Sequence, residues 1–262
     1  MAPPEIALTL LAGSPGQPVV IVGPSLGTRV ERLWSTAAGL LSGYRVIGWD
    51  LPGHGRSAPV TRPYDTQELA GAVLRAVDAA VGVDLPLRYA GDSFGGCVGL
   101  QLIVDHPERF EAAAILCSGA KIATAEVWRQ RVDLVCREGL RPVQGASAQR
   151  WFGERVLAQP NDESRAVVEE LADIDALSYC HACAALGVFD VRDRLSAIQV
   201  PLLAIAGSDD LVTTAEQNRE LVRHTPGASF ELLPGVGHLA PLEDPAATVA
   251  LLEKHFAKES SR

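Results

Sequence analysis

The feature that most constrains the fold of this chain is a regular alternation between short apolar runs and longer amphipathic stretches. The runs are rich in Val, Ile and Leu and end in Gly or Asp, so each predicts a buried strand. Such alternation favours a mostly parallel sheet covered by helices on both faces. The predicted strands are residues 18–23, 44–50, 87–92, 112–119, 201–210 and 228–233. The predicted helices are residues 29–41, 66–81, 94–105, 214–224 and 245–257, the last beginning at Asp244-Pro245.

The alternation stops between residues 120 and 195. This stretch has no convincing strand pattern and several helical ones, mainly 125–140 and 163–190. A helical insertion in a parallel-sheet fold lies over the carboxyl ends of the strands, where it covers the ligand crevice. We therefore predict an α/β core formed by residues 1–119 and 196–262, and a helical lid formed by residues 120–195.

Composition and charge exclude several classes of protein. The chain has 262 residues, 47% of them hydrophobic, and a formal net charge of -9. It has no Lys/Arg-rich run, so it carries no electrostatic signature for nucleic acid, and its acidity does not favour anionic membranes. No apolar stretch is long enough to span a bilayer, and the N-terminus lacks the features of a signal peptide. The five cysteines, an odd number, fit a reducing cytoplasm, so we predict a cytoplasmic protein with a small-molecule partner.

The predicted lid contains a cysteine motif. Cys180 and Cys183 have C-x-x-C spacing with His181 between them, which is compatible with a metal or redox site or simply with small apolar residues on a helix. No second Cys/His pair lies nearby, so the sequence favours the second interpretation. It also has no P-loop and no dinucleotide fingerprint, and we predict neither cofactor nor metal. It indicates no oligomeric state.

The motif that carries chemistry is the segment GDSFGG (91–96), which matches G-x-S-x-G. A predicted strand precedes it and a predicted helix follows it. A strand-to-helix turn this tight strains the backbone of Ser93, and the following helix directs its free N–H groups at a developing anion. The alternative is a Gly-Ser turn that merely joins the two elements. We predict that Ser93 is a nucleophile.

A serine hydroxyl needs a base to take its proton. When the serine lies in such an elbow, an acid and then a histidine follow it along the chain. His238 lies in the loop GVGHL (235–239), after the predicted strand 228–233, and is our candidate base. The other histidines lie in an early tight loop (His54), at helix ends (His106, His224, His255) or on the lid (His181).

The acid that orients the histidine belongs at the end of the strand before the last one. The segment GSDD (207–210) stands there. We predict that Asp210 is this acid and keep Asp209 as the alternative, since Asp209 is also placed to cap the turn before Leu211.

A tetrahedral oxyanion needs two N–H donors. One is the backbone N–H of Phe94, directly after the nucleophile. The other belongs to the loop GPSLG (23–27), where we predict the N–H of Leu26, with Gly27 allowing close approach. Ser25 is placed to cap the following helix and is assigned no role in catalysis.

With these residues in this order, the chain resembles the α/β-hydrolase superfamily from about residue 18 to residue 257. Within it, the chain is similar to the 3-oxoadipate enol-lactone hydrolases. The segments that carry this resemblance are SLGT (25–28), Trp128 with Arg131, REGL (137–140), Trp151-Phe152, Tyr179 through Cys183, and GHL (237–239). The chain departs from the family at Leu51-Pro52, where an Arg is usual, and at Asp92 and Phe94, where Leu or Phe and Met are usual.

The resemblance implies acyl transfer from an ester or lactone to water. A carboxylated substrate needs a cation, and Arg131 shares one helix face with Trp128, Val132 and Val135. Arg131 is therefore a candidate carboxylate clamp, the alternative being an arginine at the edge of lid packing. Trp151 is either core or substrate wall. A carboxylate at Asp92 that faced the pocket would disfavour an anionic substrate.

Three other functions stay open at this point. One is a general hydrolase of small esters or thioesters with the same triad. Another is a ligand-binding protein that kept the fold and lost turnover. The third is a lyase that uses the same triad on a succinyl-type substrate.

Overall fold

The computed structural model describes residues 3–259. Its centre is a seven-stranded sheet in the order β1-β3-β2-β4-β5-β6-β7. Every neighbouring pair is parallel except β1 with β3, so the predicted mostly parallel sheet is confirmed. The strands are β1 (Leu8–Ala12), β2 (Val19–Gly23), β3 (Arg45–Trp49), β4 (Leu87–Asp92), β5 (Phe110–Leu116), β6 (Leu202–Gly207) and β7 (Ser229–Leu233).

The inner strands are more completely buried than the first strand. This difference explains why the sequence predicted the inner strands but not the first. All residues of β2, β4 and β6 are buried, because helices cover both faces of the sheet. Strand β1 was not predicted. It is an antiparallel edge strand in which Thr9 is buried and Leu10 is exposed, the reverse of what their polarity indicates. A register shift between Leu10 and Ala12 further interrupts its period of two.

The helices form two layers on the core and a separate group in the lid. Helix α1 packs on α11 on one side of the sheet, and α2 packs on α3 on the other. The last helix begins where predicted, since the Asp244 carboxylate accepts the N–H of Ala247. The helices are α1 (Val30–Leu40), α2 (Thr66–Val81), α3 (Phe94–Asp105), α4 (Ala125–Glu138), α5 (Arg141–Trp151), α6 (Glu154–Ala158), α7 (Asp162–Glu169), α8 (Ala176–Val188), α9 (Ala215–His224), α10 (Ala240–Glu243) and α11 (Pro245–Glu259).

Five of these helices, α4 to α8, fill the stretch between β5 and β6, which contains no strand. The helical pattern predicted over residues 163–190 contains two helices, α7 and α8, with a break between them. Helix α7 passes into a short 3₁₀ turn (Glu170–Asp173), and α8 begins anew after Asp175, whose carboxylate accepts the N–H of Ser178. An Asp in this position satisfies a free N–H of the new helix and therefore starts it.

Polar contacts fasten the lid to the core. The Arg32 guanidinium on α1 pairs with Glu163 at 2.8 Å and with Glu170 at 2.7 Å, both on the lid. At the opposite end of the lid, the N–H of Gly153 donates to the Glu243 carboxylate at 3.2 Å. The helical segment between β5 and β6 is thus attached to the core at two places.

No helix within residues 3–259 has both the length and the apolar character needed to cross a membrane.

Candidate active site

The elbow around Ser93 has the strained geometry that its sequence predicts. Ser93 has φ 52° and ψ -113°, in the region that side-chain-bearing residues avoid. Two hydrogen bonds hold Ser93 in this conformation. The Ser93 N–H donates to the Leu116 carbonyl, and the Ser118 hydroxyl donates to the Ser93 carbonyl. A Cβ at Gly91 would come within 2.3 Å of the Gly95 carbonyl oxygen, so this crossing requires glycine.

Three side chains from three loops meet at this elbow. Ser93 Oγ lies 2.8 Å from His238 Nε2, and His238 Nδ1 lies 2.9 Å from Asp210 Oδ2. All three residues are buried. The His238 N–H also donates to the Trp151 carbonyl at 2.8 Å, so a lid residue helps to fix the loop that carries the histidine. The arrangement matches that of a serine nucleophile, its base and an orienting acid.

The Asp210 carboxyl is held in its charged form. Burial raises its pKa. The neighbouring His238 and the hydrogen bonds from the Thr213 N–H and hydroxyl together lower it by more, so the pKa of Asp210 lies below the usual value. Asp209, the alternative acid, turns away: its carboxylate accepts the Ser208 hydroxyl and the N–H of Glu154. The geometry therefore favours Asp210 for the acid position.

The loop that carries Leu26 is tied directly to the elbow. The Gly95 N–H donates to the Pro24 carbonyl at 2.8 Å. The turn from Ser25 to Thr28 is closed by the Thr28 N–H, with Gly27 at φ 90°. Leu26 lines the same cavity as Ser93, and Phe94 is the first residue of α3. The two predicted oxyanion donors thus come from segments that flank the serine.

The other histidines have positions of their own, away from this cavity. His54 is buried, with Nδ1 2.9 Å from the Pro52 carbonyl, and burial lowers its pKa to about 4. His255 Nε2 lies 3.1 Å from the Ala113 carbonyl, and His224 Nδ1 lies 2.9 Å from the Glu220 carbonyl. Each has one ring nitrogen within hydrogen-bond distance of a backbone carbonyl, as expected of histidines that serve packing or helix ends.

The cavity at Ser93 is small, and residues of the lid form much of its wall. Its volume is about 30 Å³, which leaves room for no more than a few water molecules. A substrate can therefore enter only when lid residues move. The lining residues are Ser25, Leu26, Ser93, Trp128, Arg131, Ser147, Arg150, Trp151, Tyr179, Val212 and His238.

The lid contributes two cations to this cavity, and the sequence predicted one of them. Arg131 lies where the helix face predicted it, with Nη1 3.4 Å from the Tyr179 hydroxyl. Arg150 was missed, because its place depends on how α5 packs against the other lid helices and no periodic signal marks it. Burial and then the charge of Arg131 lower the pKa of Arg150, but an arginine side chain keeps its proton in proteins and remains a guanidinium. Among residues 3–259, no carboxylate forms an ion pair with either arginine, and the charge of Asp210 acts on Arg150 only from a distance.

The two predicted tryptophans both line the cavity. The Trp128 indole N–H donates to the Ile122 carbonyl at 2.7 Å, which fixes the ring against the cavity. A Cβ at Gly27 would lie 3.3 Å from the Trp151 ring, so Trp151 packs directly over the loop that carries Leu26. Both rings therefore line the cavity and also belong to the buried hydrophobic core.

Asp92 does not face the pocket. Its side chain is fully buried, it is absent from the cavity lining, and neither of its oxygens has a hydrogen-bond partner within residues 3–259. Burial and then the charge of Asp210 raise the pKa of Asp92 well above its usual value, which favours the neutral acid. The departure from the enol-lactonase pattern at this position therefore places no negative charge in the pocket.

A larger open groove lies elsewhere, between the start of the lid and α9. Its volume is about 510 Å³, and Lys121, Arg192 and His224 are among the residues that line it. Both Lys121 and Arg192 already pair with Asp190. No group of three or more potential metal ligands occurs in the described part of the chain. The chemistry is concentrated at the smaller cavity.

Comparison with known proteins agrees with this geometry. Residues 18–245 match the family model described as the alpha/beta hydrolase fold. The chain is 32% identical over 236 residues to 3-oxoadipate enol-lactonase 2 of Acinetobacter baylyi, covering 90% of this chain and 87% of that protein.

Two solved structures are also similar. The enol-lactonase from Burkholderia xenovorans LB400 superposes with a TM-score of 0.90 at 27% identity, covering 96% of each chain. A hydrolase from Pseudomonas aeruginosa PA01 also reaches a TM-score of 0.90 at 27% identity, over 96% of this chain and 94% of its own. The chain belongs to the α/β-hydrolase fold family.

Proposed function

We propose that this protein is a serine hydrolase that cleaves a small carboxylated lactone or ester through an acyl-enzyme. The observation that carries the proposal is the pair of contacts from Ser93 Oγ to His238 Nε2 and from His238 Nδ1 to Asp210, at 2.8 and 2.9 Å. In this proposal residues 120–195 act as a lid over the core. Five unpaired cysteines support a cytoplasmic location.

The first half of the proposed reaction forms the acyl-enzyme. His238 Nε2 takes the proton from Ser93 Oγ, and Oγ attacks the substrate carbonyl carbon. The Leu26 and Phe94 N–H groups stabilise the resulting oxyanion. The intermediate collapses as the bond from the carbonyl carbon to the leaving oxygen breaks and His238 returns a proton to that oxygen. In a lactone, the leaving oxygen stays attached to the acyl chain.

The second half releases the product. His238 takes a proton from water, whose oxygen attacks the ester carbon of the acyl-enzyme. Collapse returns the proton to Ser93 and yields a carboxylic acid. The charged Asp210 holds the imidazole in the right tautomer and stabilises the imidazolium that forms in each half.

The substrate class follows from the lid. Arg131 and Arg150 bring two guanidinium groups to a small cavity, and no carboxylate within residues 3–259 forms an ion pair with them, a setting that favours a carboxylate ligand. The similar proteins named enol-lactonases agree with this preference. The neutral acid at Asp92 does not oppose it.

The test compares a small lactone that bears a free carboxylate with the methyl ester of that same carboxylate. We expect the kcat/KM of the wild type to favour the free acid, and expect Arg131→Met and Arg150→Met each to reduce this preference by about tenfold or more. Arg129→Met is the matched control, because Arg129 lies on the same helix, pairs with Glu126 and has a side chain 67% exposed.

The outcome also separates the other functions. Equal turnover of both substrates by the wild type, unchanged by the arginine variants, indicates a general esterase. Two products whose masses add up to that of the substrate, without uptake of water, indicate a lyase. A folded wild-type protein that turns over neither substrate indicates a ligand-binding protein.

A further inference from the structure

Two thiols meet on the lid outside the cavity. Cys136 on α4 is exposed, and Cys180 on α8 is buried. Their sulfur atoms lie 4.0 Å apart across the interface of the two packed helices. The remaining cysteines, Cys97, Cys117 and Cys183, are completely buried. Cys136 is thus the thiol that solvent reaches, and a second thiol lies in contact with it.

The C-x-x-C spacing of the sequence does not pair its own two cysteines. Cys183 lies beside Arg131 and Tyr179, on the cavity side of α8. Cys180 instead faces α4, where its sulfur also lies 4.0 Å from the Val132 carbonyl. The partner of Cys180 is therefore a residue 44 positions earlier in the chain, which the sequence motif gave no means of finding.

We propose that Cys136 and Cys180 form a reversible disulfide when the protein meets a hydroperoxide. The Cys136 sulfur attacks one oxygen of the peroxide and the O–O bond breaks. The other oxygen leaves as an alcohol or water with the thiol proton, and Cys136 becomes a sulfenic acid. The Cys180 sulfur then attacks the Cys136 sulfur, an S–S bond forms and water leaves. The two thiols supply the two electrons that reduce the peroxide, and a dithiol restores both.

The order of the two steps follows from their surroundings. Burial, and then the nearby Cys136, raises the pKa of Cys180 to about 12, which leaves it a poor first nucleophile. Cys136 is reached first because it is exposed. Cys180 is in place to resolve the sulfenic acid because it already touches that sulfur.

The bond links two helices that both line the cavity. Trp128 and Arg131 lie on α4, Tyr179 lies on α8, and the chain between the two cysteines includes Arg150 and Trp151. A disulfide shortens the sulfur separation from 4.0 Å to about 2 Å. The cross-link then restrains the helices that must move to admit a substrate. This consequence, unlike the disulfide itself, rests on the proposed function.

The disulfide is tested on the full chain with hydrogen peroxide, followed by alkylation and peptide mapping. We expect one intramolecular cross-link that joins the peptide of Cys136 to the peptide of Cys180, with the loss of two hydrogen atoms, reversed by dithiothreitol. The cross-link disappears in Cys136→Ser and in Cys180→Ser and persists in Cys183→Ser. A Cys136 that ends as sulfinic acid or joins a second chain, or a Cys180 linked to Cys183, would overturn the proposal.

The effect on the cavity is read from turnover of an activated ester before and after oxidation. We expect kcat/KM to fall by about threefold or more on oxidation and to recover with dithiothreitol, since lid opening limits access. Cys136→Ser should lose this response and keep its basal rate. Unchanged turnover by the cross-linked protein would overturn the restraint of the lid. Absence of turnover in the reduced protein would instead overturn the proposed function and leave the mapped disulfide standing.

Discussion

The core and the lid meet at one cavity but are held in different ways. In the core, β4 and β6 are buried at every residue and bring Ser93 and Asp210 to the same edge of the sheet. In the lid, short helices are fastened by polar contacts at the rim, such as those from Arg32 to Glu163 and Glu170. The residues proposed for bond cleavage belong to the core, and the residues proposed for substrate selection belong to the lid.

This difference separates two kinds of effect. A core substitution at the triad should lower turnover of every substrate alike, because each passes through the same acyl-enzyme. A lid substitution should change which substrate is preferred, or how readily it enters, and leave the serine reactive. The predictions below test this division, beginning with the largest effect.

The acid position gives the largest expected effect. Asp210→Asn should lower kcat by about 10⁴-fold, because an amide that donates to the imidazole favours the wrong tautomer. Asp209→Asn is the matched neighbour and should stay within about tenfold of wild type, since the Asp209 carboxylate accepts hydrogen bonds from the Ser208 hydroxyl and the N–H of Glu154. Steady-state kinetics on an aryl ester measures both. A larger loss at Asp209 would reverse the assignment.

The glycine under the lid comes next. Gly27→Ala places a Cβ 2.8 Å from the Leu171 side chain at φ 90°, so the loop that carries the Leu26 N–H must shift. Loss of one oxyanion donor lowers kcat by about 10²-fold. Gly16→Ala is the control, because Gly16 also has a positive φ, 93°, but no atom near the added methyl group. The control should lose stability and keep kcat, and an equal loss of kcat in both variants would contradict the assignment of Leu26.

The fold could be predicted largely from the core, and the reason lies in its burial. Strands such as β4 are covered on both faces, so their sequences are continuous apolar runs and their ends mark Ser93 and Asp210. Strand β1 escaped because its buried residue is Thr9 and its Leu10 is exposed. The order of elbow, acid and base in the chain sufficed to find the three residues that now lie in contact.

The lid was predicted less completely, because tertiary packing rather than local pattern decides its details. Arg131 was predicted from its place on an amphipathic helix face. Arg150 and the contact between Cys136 and Cys180 depend on how α4, α5 and α8 pack together, which no spacing in the sequence encodes. The break before α8 had a local signal, the N-cap Asp175, which the apolar pattern on either side obscured.

Asp92 offers a smaller test inside the core. Its raised pKa means that the folded protein keeps a proton that the unfolded chain releases above about pH 4. Its contribution to the free energy of unfolding therefore falls as the pH rises from that value towards the folded pKa. Asp92→Asn removes this loss, so its stability relative to wild type should increase with pH between 4 and 8, while kcat at pH 7 stays within about twofold.

Urea denaturation at several pH values measures this difference. A relative stability that does not change with pH, or a large fall of kcat in the isosteric variant, would show that Asp92 is charged in the folded protein.

The smallest expected effect is at the rim of the lid. Arg32→Gln removes ion pairs to Glu163 and Glu170 and should cost about 1 kcal/mol or less, because the pairs are partly exposed. Proteolysis should become faster within the lid. Arg56→Gln is the control, because its ion pair with Glu31 joins two core residues. Equal cleavage rates in both variants would mean that the rim contacts do not hold the lid.

The division between core chemistry and lid selection is tested most directly by labelling with a fluorophosphonate and locating the adduct by mass spectrometry. We expect one adduct per chain, on Ser93, in the wild type and equally in the double variant Arg131→Met/Arg150→Met. We expect no adduct in Ser93→Ala. No adduct on the folded wild type, or an adduct on any other residue, would contradict it.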